Sequence, residues 1–228
     1  MTSEKDRLIE AALQHVIFDG MSDRAVEQGA RDIGMTAALA RVHLPRGGVD
    51  LAAAYHRRGD AALRADLAAN PPQGRFRDRV VEAVMRRLAL SDREMARAGA
   101  VVFALPQNAA LGARLVWESA DAIWEGLGDE SRDVNWYSKR ATLSTVYGAT
   151  VLYWLGDGSP EAEETRAFLT RRVEGVMRFE KFKGRMAALP GVSSLAGLAT
   201  GWIRRPEARR APGYAAGQPA AAMDKGDA

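Results

Sequence analysis

The stretch AVEQGARDIGMTAALARVHLPRGGVDL, residues 25–51, decides what kind of fold the N-terminal part of this 228-residue chain can adopt. Ser22 can cap a helix that ends at Gly34, and Thr36 can cap a shorter helix that ends near His43. Two helices joined by so tight a turn, after a first helix, form a helix-turn-helix. The sequence therefore predicts such a unit at the N-terminus.

Apolar residues recur at helical spacing on both sides of this stretch. Residues 8–17 form one apolar stripe, which predicts a single first helix. Beyond residue 48 we expect six more helices before about residue 185, separated by turns such as the one at residues 70–74. Because strand alternation is nearly absent, we predict an all-α protein.

The composition excludes several kinds of catalytic site. The chain has no cysteine, which rules out a disulfide scaffold, a thiol nucleophile and a cysteine-ligated metal. His15, His43 and His56 each have alanine three positions before them, so the Glu-x-x-His pairs of a di-iron centre are missing. No nucleophile elbow, phosphate-binding loop or dinucleotide fingerprint occurs. We expect no enzyme activity, no metal and no cofactor.

The formal net charge of +3 combines two opposite contributions. Residues 181–228 carry eight basic and three acidic side chains, whereas residues 1–180 have a net charge of −2. The helix-turn-helix is itself acidic, and its last helix offers only Thr36, Arg41 and His43 to base edges. A region of this charge binds polyanions poorly, so we expect no nucleic-acid partner.

The C-terminal cations surround an apolar helix that is predicted at residues 186–206. Cations on both sides and a Trp near one end are typical of an amphipathic helix that lies in a membrane interface. The alternative is a helix that docks on the body of the protein or on a second subunit. The residues expected to contact an anionic membrane surface are Val192, Leu195, Leu198, Trp202, Ile203, Arg204 and Arg205.

The remaining terminal features bear on localisation. Residues 207–228 are rich in Ala, Gly and Pro, which predicts a disordered tail. The sequence has no apolar run of about 18 residues that could cross a bilayer, and its first residues lack the apolar core of a secretory signal. We therefore expect a cytoplasmic protein that is peripheral on the inner membrane.

The most unusual segment of the chain is DVNWYSKR, residues 133–140. Trp136 and Tyr137 are neighbours that point about 100° apart on a helix, so at least one of them should face away from the core. Arg140 follows Trp136 by four positions, within stacking reach. Trp, Tyr and Arg together are typical of a protein–protein hot spot. The alternative is that one aromatic ring belongs to the core and the other is half-buried.

Two resemblances to known families add to these patterns. Residues 25–51 resemble the DNA-binding unit of TetR regulators, although Arg41 stands where those proteins usually have Tyr, and Gly47 or Gly48 where they have a phosphate-anchoring Lys. From about residue 8 to residue 203 the chain resembles the Coq-nine family of ubiquinone (coenzyme Q) biosynthesis accessory proteins. The motifs that carry this second resemblance lie at residues 133–140, 142–147, 157–160 and 165–173.

The second resemblance implies a TetR-like fold with a vestigial helix-turn-helix unit at residues 1–48 and a helical lipid-binding bundle at residues 49–185. It also implies that the chain binds an isoprenoid quinone or a phospholipid, presents it to the demethoxyubiquinone hydroxylase, and does not bind DNA. A homodimer is expected for this fold. The alternative function is a TetR-type repressor whose effector fills the same cavity.

The family resemblance also selects candidate site residues. The expected partner surface consists of Asp133, Asn135, Trp136, Tyr137 and Arg140. For the lipid pocket, large apolar residues of the predicted seventh and eighth helices are the candidates, and each of them could equally be ordinary core. These residues are Leu111, Leu115, Trp117, Trp124, Leu143, Val146, Tyr147 and Val151.

Overall fold

The computed structural model describes residues 3–129 and 134–187, and it describes their side chains except at residues 134–135 and 179–187. Within these ranges the chain forms ten α-helices and no strand, which confirms the all-α class. Short 3₁₀ turns at Pro106–Asn108 and Pro160–Ala162 precede two of the helices. The helices are α1 (Glu4–Leu13), α2 (Val16–Asp19), α3 (Asp23–Asp32), α4 (Ala37–His43), α5 (Gly48–Ala69), α6 (Phe76–Ala89), α7 (Arg93–Ala104), α8 (Ala109–Gly126), α9 (Val134–Gly156) and α10 (Glu163–Ala187).

Both predicted caps of the helix-turn-helix are present. The Ser22 side chain accepts a hydrogen bond from the backbone N–H of Ala25 over 3.2 Å, and α3 begins at the next residue. The Thr36 side chain accepts from the backbone N–H of Leu39 over 3.2 Å at the start of α4. Each bond satisfies a helix N-terminal donor that has no partner within its own helix.

The expectation of one continuous first helix is wrong, because the chain breaks between α1 and α2. The backbone N–H groups of Gln14 and His15 turn back to carbonyls near the end of α1. His15 is then in place to contact Asp32 at the end of α3, with Nε2 2.6 Å from the carboxylate. The break leaves Ile17 and Phe18 exposed, so the predicted apolar stripe only partly enters the core.

Two apolar cores share the long helix α5. The N-terminal core is built around α1, α3 and α4 and includes Leu51 of α5, whereas the larger C-terminal core includes Leu63 and Leu67 of the same helix. The boundary predicted at residue 49 therefore falls at the start of a helix that belongs to both cores. Movement of one core would be transmitted to the other through this shared element.

Within the described residues, no single helix is long and apolar enough to span a bilayer. Helix α7 and residues Pro106–Gly126 meet the length and composition of a span only when they are taken together, and the two are bent by 98°. The C-terminal half of α8 is buried inside the protein, including Leu115 and Ile123. The pair therefore forms a corner on the bundle.

Gly29 is where α1 and α3 approach each other most closely. A Cβ at this position would lie 2.3 Å from the backbone nitrogen of Ala12, and backbone atoms cannot move aside as a flexible side chain would. We expect Gly29→Ala to lower the free energy of unfolding by about 1–3 kcal/mol, measured by urea denaturation.

Gly175→Ala on α10 is the matched control, because a Cβ there would meet no atom within 4 Å. This control should raise the free energy of unfolding by about 0.5–1 kcal/mol through helix propensity. Equal effects of the two substitutions would contradict the tight crossing of α1 and α3.

Candidate functional site

The first candidate site is a cavity of about 450 Å³ in the C-terminal bundle, which we call cavity A. Small and apolar side chains of α7, α8 and α9 form most of its wall, and this size and lining suit a small organic ligand. Its lining residues are Ala52, Tyr55, His56, Arg87, Leu88, Ser91, Met95, Ala96, Gly99, Ala100, Phe103, Ala104, Ala109, Gly112, Ala113, Leu115, Val116, Tyr147, Gly148, Val151, Leu152 and Trp154.

The buried end of cavity A is polar. Nε of Arg87 on α6 donates to Oδ1 of Asp60 on α5 over 2.7 Å, and the Ser119 hydroxyl on α8 donates to the same oxygen over 2.7 Å. Nε2 of His56 lies 2.8 Å from the Ser119 hydroxyl and 3.2 Å from the carbonyl oxygen of Leu115. We call Asp60, Arg87, Ser119 and His56 the polar floor. It joins three helices, and His56 and Arg87 face the cavity.

The titratable groups of this floor present a nearly neutral surface. Burial lowers the pKa of His56 from 6.5 to about 4, so its ring is uncharged at neutral pH. The carbonyl oxygen of Leu115 can only accept, which indicates that Nε2 carries the ring proton. Burial also raises the pKa of the Tyr147 hydroxyl, which therefore stays protonated. The charge of Arg87 is balanced by Asp60.

A second cavity of about 470 Å³, cavity B, lies between α6, α8, α9 and α10. Its wall is mainly apolar, and Lys139 at its edge lies 2.7 Å from Asp129. It adjoins the segment at residues 133–140, since Ser138 and Lys139 belong to both. Its lining residues are Phe76, Val80, Trp124, Ser138, Lys139, Thr142, Leu143, Val146, Val173, Val176 and Met177.

The residues predicted for one lipid pocket are divided between these two cavities. Three of them line cavity A: Leu115, Tyr147 and Val151. Three others line cavity B: Trp124, Leu143 and Val146. Val146 and Tyr147 are neighbours on α9 that point about 100° apart, so they face different cavities.

The remaining two predicted pocket residues line neither cavity. Leu111 is half-buried near the start of α8. Trp117 is also half-buried, and its ring packs against Trp136 with a centroid distance of 6.0 Å. The ring of Trp117 therefore packs against the segment at residues 133–140, and its place in a lipid pocket stays a prediction.

The structure buries two residues that were predicted to form the partner surface. Trp136 is 1% exposed and Arg140 is 0% exposed. The expected stacking of this pair is present, with the guanidinium carbon 4.2 Å from the Trp136 ring centroid. Nε of Arg140 donates to Asp121 over 2.5 Å, and Nη1 donates to Asp129 over 3.0 Å. Arg140 is inside because these two carboxylates compensate its charge.

Among the three described members of the predicted surface, Tyr137 is the one that solvent reaches. Its ring is half-exposed and packs edge-on against Trp136 at a centroid distance of 4.8 Å. Asp133 and the side chain of Asn135 lie outside the described part of the chain, and the predicted membrane-contacting residues also lie outside it. These membrane residues are Val192, Leu195, Leu198, Trp202, Ile203, Arg204 and Arg205.

Sequence reasoning missed the polar floor, although a signal for it exists. Asp60 stands at helical spacing from Leu63 and Leu67, and Arg87 stands on the same stripe as Val80 and Val84. A charged residue on an apolar stripe has to be paired when the stripe is buried. Two such residues of opposite sign in consecutive helices predict a buried ion pair.

The sequence is similar to curated ubiquinone biosynthesis proteins. A family model described as COQ9 matches residues 109–180. The mitochondrial ubiquinone biosynthesis protein COQ9 of Xenopus tropicalis is 31% identical over 184 residues, in an alignment that covers 76% of this chain and 57% of that protein. For the human protein of the same name the identity is 29%, over 75% of this chain and 57% of that protein. For the Schizosaccharomyces pombe protein it is 28%, over 76% and 70%.

The similarity covers only part of the relatives' length, and the family match covers a defined part of this chain. The chain spans little more than half the length of the Xenopus and human proteins. Residues 109–180 contain α8, α9 and most of α10, and therefore include part of the wall of each cavity and the pair Trp136 and Arg140.

The fold has a counterpart among solved structures. A TetR transcriptional regulator from Nitrosomonas europaea superposes with a TM-score of 0.58 over 75% of this chain and 95% of that protein. The sequence identity is 16%, so the likeness concerns the fold alone. The predicted TetR-like fold is confirmed.

We expect His56 to make folding stability depend on pH. Its pKa is about 4 in the folded protein and about 6.5 in the unfolded chain, so below pH 6.5 the unfolded chain binds more protons. The free energy of unfolding therefore decreases as the pH falls from about 6.5 to about 4. At about pH 5 we expect it to be about 2 kcal/mol lower than at neutral pH because of His56.

The measurement is urea unfolding of the wild type and His56→Gln at about pH 8 and about pH 5. Gln keeps an amide donor that can reach Ser119 but does not titrate, so the variant should lose about 2 kcal/mol less than the wild type on acidification. Equal losses would show that His56 is not held neutral by burial.

Proposed function

Because the chain belongs to the COQ9 family, we propose that it acts in ubiquinone biosynthesis as a lipid-binding accessory protein without catalytic activity of its own. The observation that carries this proposal is cavity A, which combines apolar walls with one polar, buried end. A lipid has the same division between an apolar chain and a polar head. The lining of cavity B is mainly apolar, and among the described side chains it has no comparable buried hydrogen-bonding floor.

The chemistry of the floor favours a quinone or phenol head over a phosphate. Arg87 has its charge balanced by Asp60, and His56 is neutral, so no unpaired cation faces the cavity from the polar floor. A phosphate transferred into such a site would be an uncompensated buried charge. The carbonyl or hydroxyl group of a quinone intermediate needs only hydrogen bonds, which neutral groups such as the Tyr147 hydroxyl can supply. We therefore favour an isoprenoid quinone intermediate over a phospholipid.

The proposed partner is the demethoxyubiquinone hydroxylase, which would receive the lipid. The family match includes residues 133–140, and the half-exposed ring of Tyr137 suits a contact with a protein. Trp136 and Arg140 would act from behind this surface, because they are buried and hold the start of α9 against Asp121 and Asp129. Their proposed role is to position Tyr137.

We also propose that the chain works at a membrane surface as a homodimer. Isoprenoid quinones reside in membranes, and the curated relatives are named as mitochondrial ubiquinone biosynthesis proteins. The predicted amphipathic helix at residues 186–206 would provide one attachment. In a bacterial cell this corresponds to a peripheral position on the cytoplasmic face of the inner membrane.

Filling cavity A should remove the bound lipid. Gly148 lines the cavity on α9, and a Cβ there would lie at an ordinary contact distance of 3.6 Å from Val116, so a leucine side chain can extend into the empty space. We expect Gly148→Leu to reduce co-purified lipid about tenfold, while the helix keeps or gains stability through propensity. Native mass spectrometry and lipid extraction of wild type and variant measure this.

The matched control is Gly175→Leu on α10, where the added side chain meets open space and no wall of cavity A. It should retain the lipid content of the wild type. Equal lipid in Gly148→Leu and wild type would exclude cavity A as the lipid site, and wild-type protein that carries no lipid would contradict the proposed function.

Tyr137→Ala should weaken binding of the demethoxyubiquinone hydroxylase by about tenfold, because aromatic residues at the centre of an interface commonly contribute about 2 kcal/mol. The measurement is a pull-down titration, with circular dichroism as the check on folding. Trp136→Ala is less informative, since removing a fully buried indole should destabilise the fold by about 3–5 kcal/mol.

Tyr153→Ala provides the control on the same helix, since Tyr153 is also solvent-exposed and stacks on Phe168. This variant should bind the hydroxylase as the wild type does. If the Tyr137 variant binds with wild-type affinity, the partner surface lies elsewhere.

A further inference from the structure

The corner between α7 and α8 has an unusual composition. Residues 98–113 contain 16 successive residues without a charged side chain, bounded by Arg97 and Arg114. We call this segment the α7–α8 corner. It includes the last turns of α7, the 3₁₀ turn at Pro106–Asn108 and the first turn of α8. The corner therefore presents a long uncharged segment with a cation at each end.

Part of this uncharged segment faces outward. Val101 is 64% exposed, and Leu105 at the end of α7 is also exposed. Val102 and Phe103 point the other way and pack against the N-terminal core. A cluster of exposed apolar side chains on one corner is typical of a surface that contacts another molecule or a membrane.

The same corner contains the mouth of cavity A. Among the lining residues of the cavity, those that are exposed to solvent are Ala104, Ala109 and Ala113 of the corner, and Leu152 of α9, which is 70% exposed. The opposite end of the cavity is the buried polar floor with Arg87 and His56. The most solvent-exposed part of the cavity lining is therefore apolar, and we take this part as its mouth.

A bilayer fits this surface better than a protein does. By length and composition alone, helix α7 and residues Pro106–Gly126 together resemble a membrane span. Their 98° bend and the burial of the second half of α8 leave only the corner free for lipid contact. Arg97 and Arg114 stand at the two ends of the uncharged segment. Arg97 pairs with Glu94 over 2.6 Å and keeps a half-exposed side chain, which can reach the headgroup layer.

We propose that the α7–α8 corner inserts into the interfacial layer of the membrane, so that cavity A opens directly to the bilayer. A lipid then enters head first, its polar group reaches the floor, and an apolar chain longer than the cavity remains in the bilayer through the mouth. This use of the surface rests on the proposed lipid-binding function of cavity A. Insertion of the corner is a separate property, which can be measured without a ligand.

The test uses single-cysteine labelling of the full chain, which the absence of native cysteine makes site-specific. A nitrobenzoxadiazole label on Leu105→Cys is mixed with vesicles of equimolar phosphatidylcholine and phosphatidylglycerol that contain a brominated phosphatidylcholine. The label should shift to shorter wavelength and be quenched at least about twofold, since it leaves water for the acyl-chain boundary. Val42→Cys on α4, where Val42 is 71% exposed, is the matched control and should show neither change.

A second measurement introduces negative charge into the apolar surface. The double variant Val101→Glu/Leu105→Glu should bind pure phosphatidylcholine vesicles about tenfold more weakly than wild type, because two exposed apolar groups no longer enter the interface. The Val42→Glu variant should bind as wild type does. Uncharged vesicles are used so that the basic residues beyond residue 181 contribute little to binding.

The outcomes separate this proposal from the proposed function. A Leu105 label that stays in water in the presence of bound vesicles overturns insertion of the corner, even if lipid co-purifies with the chain. An inserted label on a protein that never carries lipid supports the corner and contradicts the lipid-binding function. A label that is quenched equally at residues 105 and 42 overturns the proposal, because the contact would not be specific to the corner.

Discussion

The buried ion pair between Arg87 and Asp60 is the interaction on which the C-terminal bundle depends. It ties α5 to α6, and Ser119 brings α8 to the same carboxylate oxygen. A charge of this kind is tolerated inside a protein only when its partner is present, and removing one partner typically costs about 3–5 kcal/mol. Gly59 makes the arrangement possible, because a Cβ there would lie 2.5 Å from the Arg87 guanidinium. The pair thus organises three helices and also forms the polar end of cavity A.

Helix α9 carries residues of both cavities and of the segment at residues 133–140. Successive residues on one helix face different directions, so Val146 lines cavity B while Tyr147 lines cavity A. At the start of the same helix, Arg140 is held by carboxylates from α8 and the loop that follows it. Any contact made at Tyr137 is therefore mechanically linked to the walls of both cavities through one rigid element.

The helix-turn-helix of this TetR-like fold meets the requirements of folding but has few of the cations that DNA binding needs. The helix-turn-helix keeps its two caps at Ser22 and Thr36 and its apolar core, which are requirements of folding. The cations that phosphate contacts need are few, and residues 1–50 carry a net charge of −2. Fold alone does not specify function, and the family model matches residues 109–180, which form part of the wall of both cavities.

The sequence by itself determined the all-α class, the helix-turn-helix caps and the family, because helical spacing, capping residues and the 133–140 motif are local signals. The break between α1 and α2 and the burial of Trp136 and Arg140 were decided by the tertiary structure. Whether an aromatic or cationic side chain lies inside depends on the carboxylates and rings that other helices bring to it, as Asp121 and Trp117 do here. The expected single pocket is two cavities for a similar reason. The helices packed around α9 place one cavity against one face of this helix and the second cavity against another face.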